Sequence, residues 1–178
     1  MMRQRMQQIE ERLKVLREEF RSVAGDDASW REEIGDPTRL LALHARAAAE
    51  QAQQWVNELA QDLDWSEQRA YRFLKSVLHT LRDWLSPEEM ADLSAQLPAL
   101  IRGIYFEGWK PSDEPMWERK KIDFLICVRK SFGYELDVDI GKGIRAVFKL
   151  LDRHISHGEI VQVRNSMKKS LRHLWPAD

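Results

Sequence analysis

The segment Ser86-Pro87-Glu88-Glu89 recurs seventy residues later as Ser156-His157-Gly158-Glu159. In each, a serine can cap a helix, and a glutamate three residues on can return a bond to the serine N–H. The flanking residues align at the same offset without a gap, 77–105 against 147–175. Val77 meets Val147, Leu81 meets Leu151 and Arg102 meets Arg172. Apolar class is kept at Leu78/Phe148, Leu85/Ile155, Met90/Ile160, Leu93/Val163, Leu97/Met167, Ile101/Leu171, Ile104/Leu174 and Tyr105/Trp175. Upstream, an offset of 69 aligns Val56, Leu59 and Leu63 with Leu125, Val128 and Phe132, the difference being one residue in a loop. Helical periodicity alone can match apolar class, but it does not set a capping box at a fixed offset. The expectation is a three-helix unit used twice, packed as one six-helix body with a pseudo-two-fold relation. A solenoid would need about three repeats.

Composition supports helices. The 178 residues include only 8 Gly and 6 Pro, and an all-β domain needs a turn every 8–12 residues or so. Lys+Arg (28) and Asp+Glu (29) nearly cancel, so the chain as a whole implies no polyanion partner. One cysteine, Cys127 in the apolar run 124–128, excludes an intrachain disulfide and a disulfide-stapled secreted domain. It reads as a small core residue. No uncharged apolar run approaches the ~18 residues of a membrane span, and Met1 to Gln8 has no apolar secretory region. The expected compartment is the cytoplasm.

Met2, Met6, Ile9, Leu13, Leu16, Phe20 and Val23 step by 4, 3, 4, 3, 4, 3, a heptad seam that predicts a long first helix. A polar loop follows at 24–35. Asp36-Pro37 opens a second helix, capped by Asp and started by Pro. Its face is Leu40, Leu41, His44, Ala47, Ala48, Gln51, Trp55 and Leu59, as far as about Leu63. Ser66 caps a third helix with Ala70, Phe73, Leu74, Val77, Leu81 and Trp84 inward. Ser86 caps a fourth, with Met90, Leu93, Leu97, Ile101, Ile104 and Tyr105 inward. Pro98 lies within it, yet the apolar phase is the same on both sides, which predicts a kink rather than two helices. Gly108 and Pro111 end it, and 110–115 with two prolines is the best linker. A fifth helix is expected from about Met116 to Phe132, a sixth over about 139–155, and a seventh from the Ser156 cap to Leu174 or Trp175. Tyr134, Leu136, Val138 and Ile140 alternate with acids like a strand, but with no partner strand they read as an extended connection.

The stretch from Val77-Leu78-His79-Thr80-Leu81 through Leu85-Ser86-Pro87-Glu88-Glu89 and Leu93-Ser94-Ala95-Gln96-Leu97-Pro98-Ala99-Leu100-Ile101-Arg102-Gly103 to Tyr105-Phe106-Glu107-Gly108-Trp109 resembles the signature of the prokaryotic "domain of unknown function 2267" family. Gly158-Glu159 and Leu171-Arg172-His173-Leu174-Trp175 resemble its second half. The resemblance covers roughly residues 50–176. The second unit has Met167-Lys168 where the first has Leu97-Pro98, so its last helix is expected to be straight. The resemblance implies a bacterial or archaeal helical protein and brings no activity, cofactor or catalytic residue with it.

The residues themselves assemble no catalytic constellation. His154 and His157 straddle the Ser156 cap, and His173 stands about 24 Å along the last helix at ~1.5 Å per residue, so a surface role is favoured over a metal site. Asp137-x-Asp139 fails the calcium-loop pattern at its later positions, and Gly141-Lys142-Gly143 lacks phosphate-loop spacing. Glu88 and Glu89 are explained by the cap, and Glu107, at a helix end, reads as structural or interfacial. Trp109, Met116 and Trp117 flank the linker and can lock two halves together or face a partner. Residues 140–178 carry eight Lys/Arg against three acids. Lys142, Arg145, Lys149, Arg164, Lys168, Lys169 and Arg172 form a candidate polyanion face, against the plainer reading of two solvated helix faces.

The expected architecture is all-α: a long N-terminal helix, then six helices in two similar three-helix units. The expected segments are 1–35, 36–110 and 111–178, with 36–178 as one body. The expected function is a non-enzymatic interaction or scaffold protein. It would form a homodimer through the seam Met2, Met6, Ile9, Leu13, Leu16, Phe20 and Val23, with docking of that helix on the chain's own second helix as the competing mode. The alternative is nucleic-acid binding by the basic C-terminal unit. No cofactor and no metal is implied.

Overall fold

A computed structural model describes residues 37–110, 120–133, 135, 137–166, 172, 173 and 175. Among them the secondary structure is helical, in seven elements: α1 (Pro37–Leu63), α2 (Glu67–Arg82), α3 (Pro87–Gln96), α4 (Ala99–Phe106), α5 (Lys121–Phe132), α6 (Ile140–His154) and α7 (His157–Ser166). The chain forms two compact units, Met1–Ala45 and Arg46–Asp178.

In the second unit the apolar periodicity is realised as one continuous core. From α2 it takes Ala70, Phe73, Leu74, Val77, Leu78 and Leu81, and from α6 Ile140, Ile144, Val147, Phe148, Leu150 and Leu151. Helix α2 is central, packing closely on α5 and also on α4 and α6, while α3 packs on α7. Two hydroxyls on α2 turn inward on their own helix, Ser76 to the Arg72 carbonyl and Thr80 to the Ser76 carbonyl, both at 2.9 Å. Buried polar groups are thereby satisfied without a partner helix.

The expected caps hold at Ser66 and Ser86, whose side chains accept the backbone N–H of Arg69 and Glu89, and the sixth helix starts near 139 as expected, with Asp139 capping it by accepting the Lys142 N–H. At Ser86 the box is closed by the Glu89 carboxylate, which accepts the Ser86 N–H. Helix α5 ends on Gly133, whose φ of 111° lies where a side chain would be strained.

Three expectations need correction. The fourth helix does not kink at Pro98: it breaks into α3 and α4. Proline pushes the residue before it out of the helical region, and Leu97 is extended at φ −78°, ψ 140°. Pro98 follows at φ −52°, ψ 147° as the residue before α4. The freed Leu97 carbonyl accepts the Arg102 guanidinium at 3.2 Å. The apolar phase survives because Leu97, Ile101 and Tyr105 all reach the core. The counterpart stretch from 167 lies largely outside the described residues. Next, α5 starts at Lys121 rather than at about Met116, because Lys120 is extended at φ −84°, ψ 161° and its N–H donates to the Asp123 carboxylate. Finally, Cys127 is half-buried on α5 rather than a core residue.

The Ser86 cap gives a direct test. Ser86→Ala removes one partner of the closed box and should lower the unfolding free energy by about 1 kcal/mol, measured by urea denaturation.

Candidate interaction surface

In the first unit the described residues are the N-terminal turns of α1. The face expected to be buried along α1 is covered only from Trp55 onward. Leu41 is 69% and Leu43 55% exposed, and Leu40 is 38% exposed. At 3.6 residues per turn the three leucines fall on one side of the helix. The seam Met2, Met6, Ile9, Leu13, Leu16, Phe20 and Val23, in the same unit, lies outside the described residues.

Of the candidate polyanion face, Lys142, Arg145 and Lys149 are exposed along one stripe of α6, at i, i+3 and i+7. No ion pair to these three occurs among the described residues. Arg164 is half-buried on α7, and Arg172 donates to the Asn165 carbonyl. Lys168 and Lys169 lie outside the described residues.

The histidines are not gathered. His154 bonds the Glu58 carboxylate through Nε2 at 2.9 Å and stacks beside Trp55, 5.0 Å between centroids. His157 and His173 are exposed. Among the described residues no group of three or more His, Cys, Asp or Glu is placed to hold a metal ion. Glu107 pairs with Lys75 at 2.7 Å, while Glu89 serves the cap, so the two carboxylates are engaged separately. Trp109 packs on Phe106 at 5.8 Å. Met116 and Trp117 lie outside the described residues.

Sequence reasoning missed the electrostatic seams. Arg153 on α6 reaches Glu58 at 3.3 Å and Asp62 at 2.9 Å on α1. Partial burial pushes the Glu58 carboxyl up, but bonds from His154 and Gln54 and the charge of Arg153 bring it below the ordinary carboxylate value. On α2, Arg69 holds Glu135 and Asp137, and Arg72 holds Glu135 and the Phe132 carbonyl. Arg82 is the least expected: only 6% exposed, it donates to the carbonyls of Tyr105 and Glu107 and to Asp83. Its signal in the sequence was a charge directly after Leu81, indistinguishable from a helix-end cation.

The described chain is an all-α bundle in which no helix is long and apolar enough to cross a membrane. The family described as "Uncharacterized conserved protein (DUF2267)" matches residues 52–174, and the chain belongs to that family. No curated protein matches the chain.

His79 supplies a pH signature. Burial lowers its pKa below 6.5, against the opposing bond in which Nε2–H donates to the Ile104 carbonyl at 2.7 Å. The unfolded chain therefore takes the proton first. Stability is complete above pH 6.5 and falls as pH drops through 6.5 toward the lower folded value. His79→Gln should flatten this slope relative to the parent, read from urea midpoints across the acid range.

Proposed function

We propose that the protein is a non-enzymatic interaction or scaffold protein of the cytoplasm of a prokaryotic cell, self-associating as a homodimer through its N-terminal unit. The observation that supports this reading is the exposure of Leu41 and Leu43 on α1, in the unit that also carries the heptad seam from Met2 to Val23. Exposed leucines are apolar surface that water penalises and a second copy can cover, and a heptad pattern in the sequence is one that a second copy can match. A lone cysteine fits a reducing compartment. Light scattering on the full chain should give the mass of two chains. Leu13→Glu with Leu16→Glu should give one, with helicity of the remaining bundle kept. A monomeric parent, or a dimer indifferent to these changes, would reject the reading.

A second reading, nucleic-acid binding, rests on the Lys142, Arg145 and Lys149 stripe. Fluorescence anisotropy with duplex DNA tests it. Three phosphate contacts give a slope of about −2.7 in log affinity against log salt, at roughly 0.9 per contact. Lys149→Glu should flatten that slope, whereas binding without salt dependence would exclude the stripe as the contact.

A further inference from the structure

Several side-chain contacts between the two halves of the Arg46–Asp178 unit come in matched sets, although α2 packs closely on α5 while their equivalents α6 and α1 stand further apart. Phe73 and Gly143 occupy equivalent positions at the offset of seventy, and they meet. A Cβ built on Gly143 would lie 2.5 Å from Cζ and 2.7 Å from Cε1 of the Phe73 ring. Asp92 and Gln162, equivalent at the same offset, also meet: Gln162 Nε2 donates to Asp92 Oδ2 at 3.3 Å. A residue touches its own equivalent where it lies on a two-fold axis, and two such pairs mark one line.

Off an axis, two-fold pairing requires contacts in reciprocal couples, i with j and the equivalent of j with the equivalent of i. Trp55 is equivalent to Phe124 at the offset of 69, and Trp84 to His154 at seventy. Trp55 faces His154 with centroids 5.0 Å apart. Phe124 meets Trp84 at the same 5.0 Å, edge-on at 87° where the first pair is tilted by 30°. The helix starts do not match in the same way: the box expected at both is closed at Ser86 by Glu89, whereas at the second the Glu159 Oε1 oxygen is buried without a hydrogen bond among the described residues.

We infer that the inner face of each half is an isologous dimerisation surface whose partner is a three-helix unit of the same kind, here supplied by the other half of the chain. The residues on the axis decide which unit is accepted. Two first halves would bring Phe73 onto Phe73, where the space over Gly143 does not admit even one added carbon. Two second halves would leave glycine facing glycine and a void between helices. Asp92 against its own copy would set two carboxylates together, whereas Gln162 offers a donor. Phe73, Gly143, Asp92 and Gln162 thus specify pairing of unlike halves.

The axis is tested by spin labels in the full chain carrying Cys127→Ser. Positions 88 and 162 exchange with 158 and 92 under the two-fold, and all four are exposed. Nitroxide pairs at 88/162 and at 92/158 should give coincident electron–electron distances. Distributions that differ beyond the label width would overturn the axis. Specificity is tested by exchange: Phe73→Gly and Gly143→Phe each lower the melting temperature, and the double variant regains most of the loss because the ring enters from the other side. Purely additive losses would overturn the specificity roles. If Gly143→Phe does not fold, Gln162→Asp should lower the melting temperature and Asp92→Gln with Gln162→Asp should restore it, failure of that rescue counting the same way.

Discussion

Helix α2 can be buried around Ser76 and Thr80 because these two hydroxyls ask nothing of the helices around them. Ser76 and Thr80 spend their hydroxyl protons on carbonyls of their own helix, leaving a surface on which α5 can lie close. Arg82 does the reverse at the helix end. Its guanidinium satisfies the carbonyls of Tyr105 and Glu107 at the close of α4, groups that a helix terminus otherwise leaves to water. A buried cation held mainly by carbonyl dipoles, with half-exposed Asp83 beside it, is costly to leave unpartnered. The junction of α2 with α4 is therefore an all-or-none contact.

Around this centre the outer joints are electrostatic. Arg153 and His154 fasten α6 to α1, and Arg69 and Arg72 fasten the connection after α5 to α2. These groups are partly solvated, so each pair contributes modestly. Their value is directional. Arg72 caps the Phe132 carbonyl, lies over the Phe132 ring at 5.0 Å and pairs with Glu135. One side chain thereby fixes where α5 stops and where the chain leaves it.

Elements governed by local chemistry were legible in the sequence. The caps at Ser66 and Ser86 and the apolar face of α2 follow from residue type and spacing, which act within a turn or two. Pro98 was harder, because preserved apolar phase is compatible with either a bend or a break. The deciding fact is that Leu97 must leave the helical region while still reaching the core. The leucines at the start of α1 were misjudged for another reason: periodicity marks a face as apolar but does not say that anything covers it. The stripe of Lys142, Arg145 and Lys149 was readable, since it needs only helical spacing. The partners of Arg153 lie more than ninety positions away at Glu58 and Asp62, and no local signal carries such a distance.

Helix α6 opens Ile140-Gly141-Lys142-Gly143, two glycines in its first turn. Each costs about 1 kcal/mol of helix stability relative to alanine, so this helix has little reason to exist before it meets α2. Gly143 is also the residue that lets Phe73 settle against the backbone. Nucleation of α6 and its docking are thus one event, spanning seventy residues of intervening chain. Such an event carries a large loop-closure entropy and belongs late on the folding path. The nascent chain would hold α2 with its aromatic face uncovered until α6 emerges, a window in which a neighbouring chain or a chaperone can reach that face first.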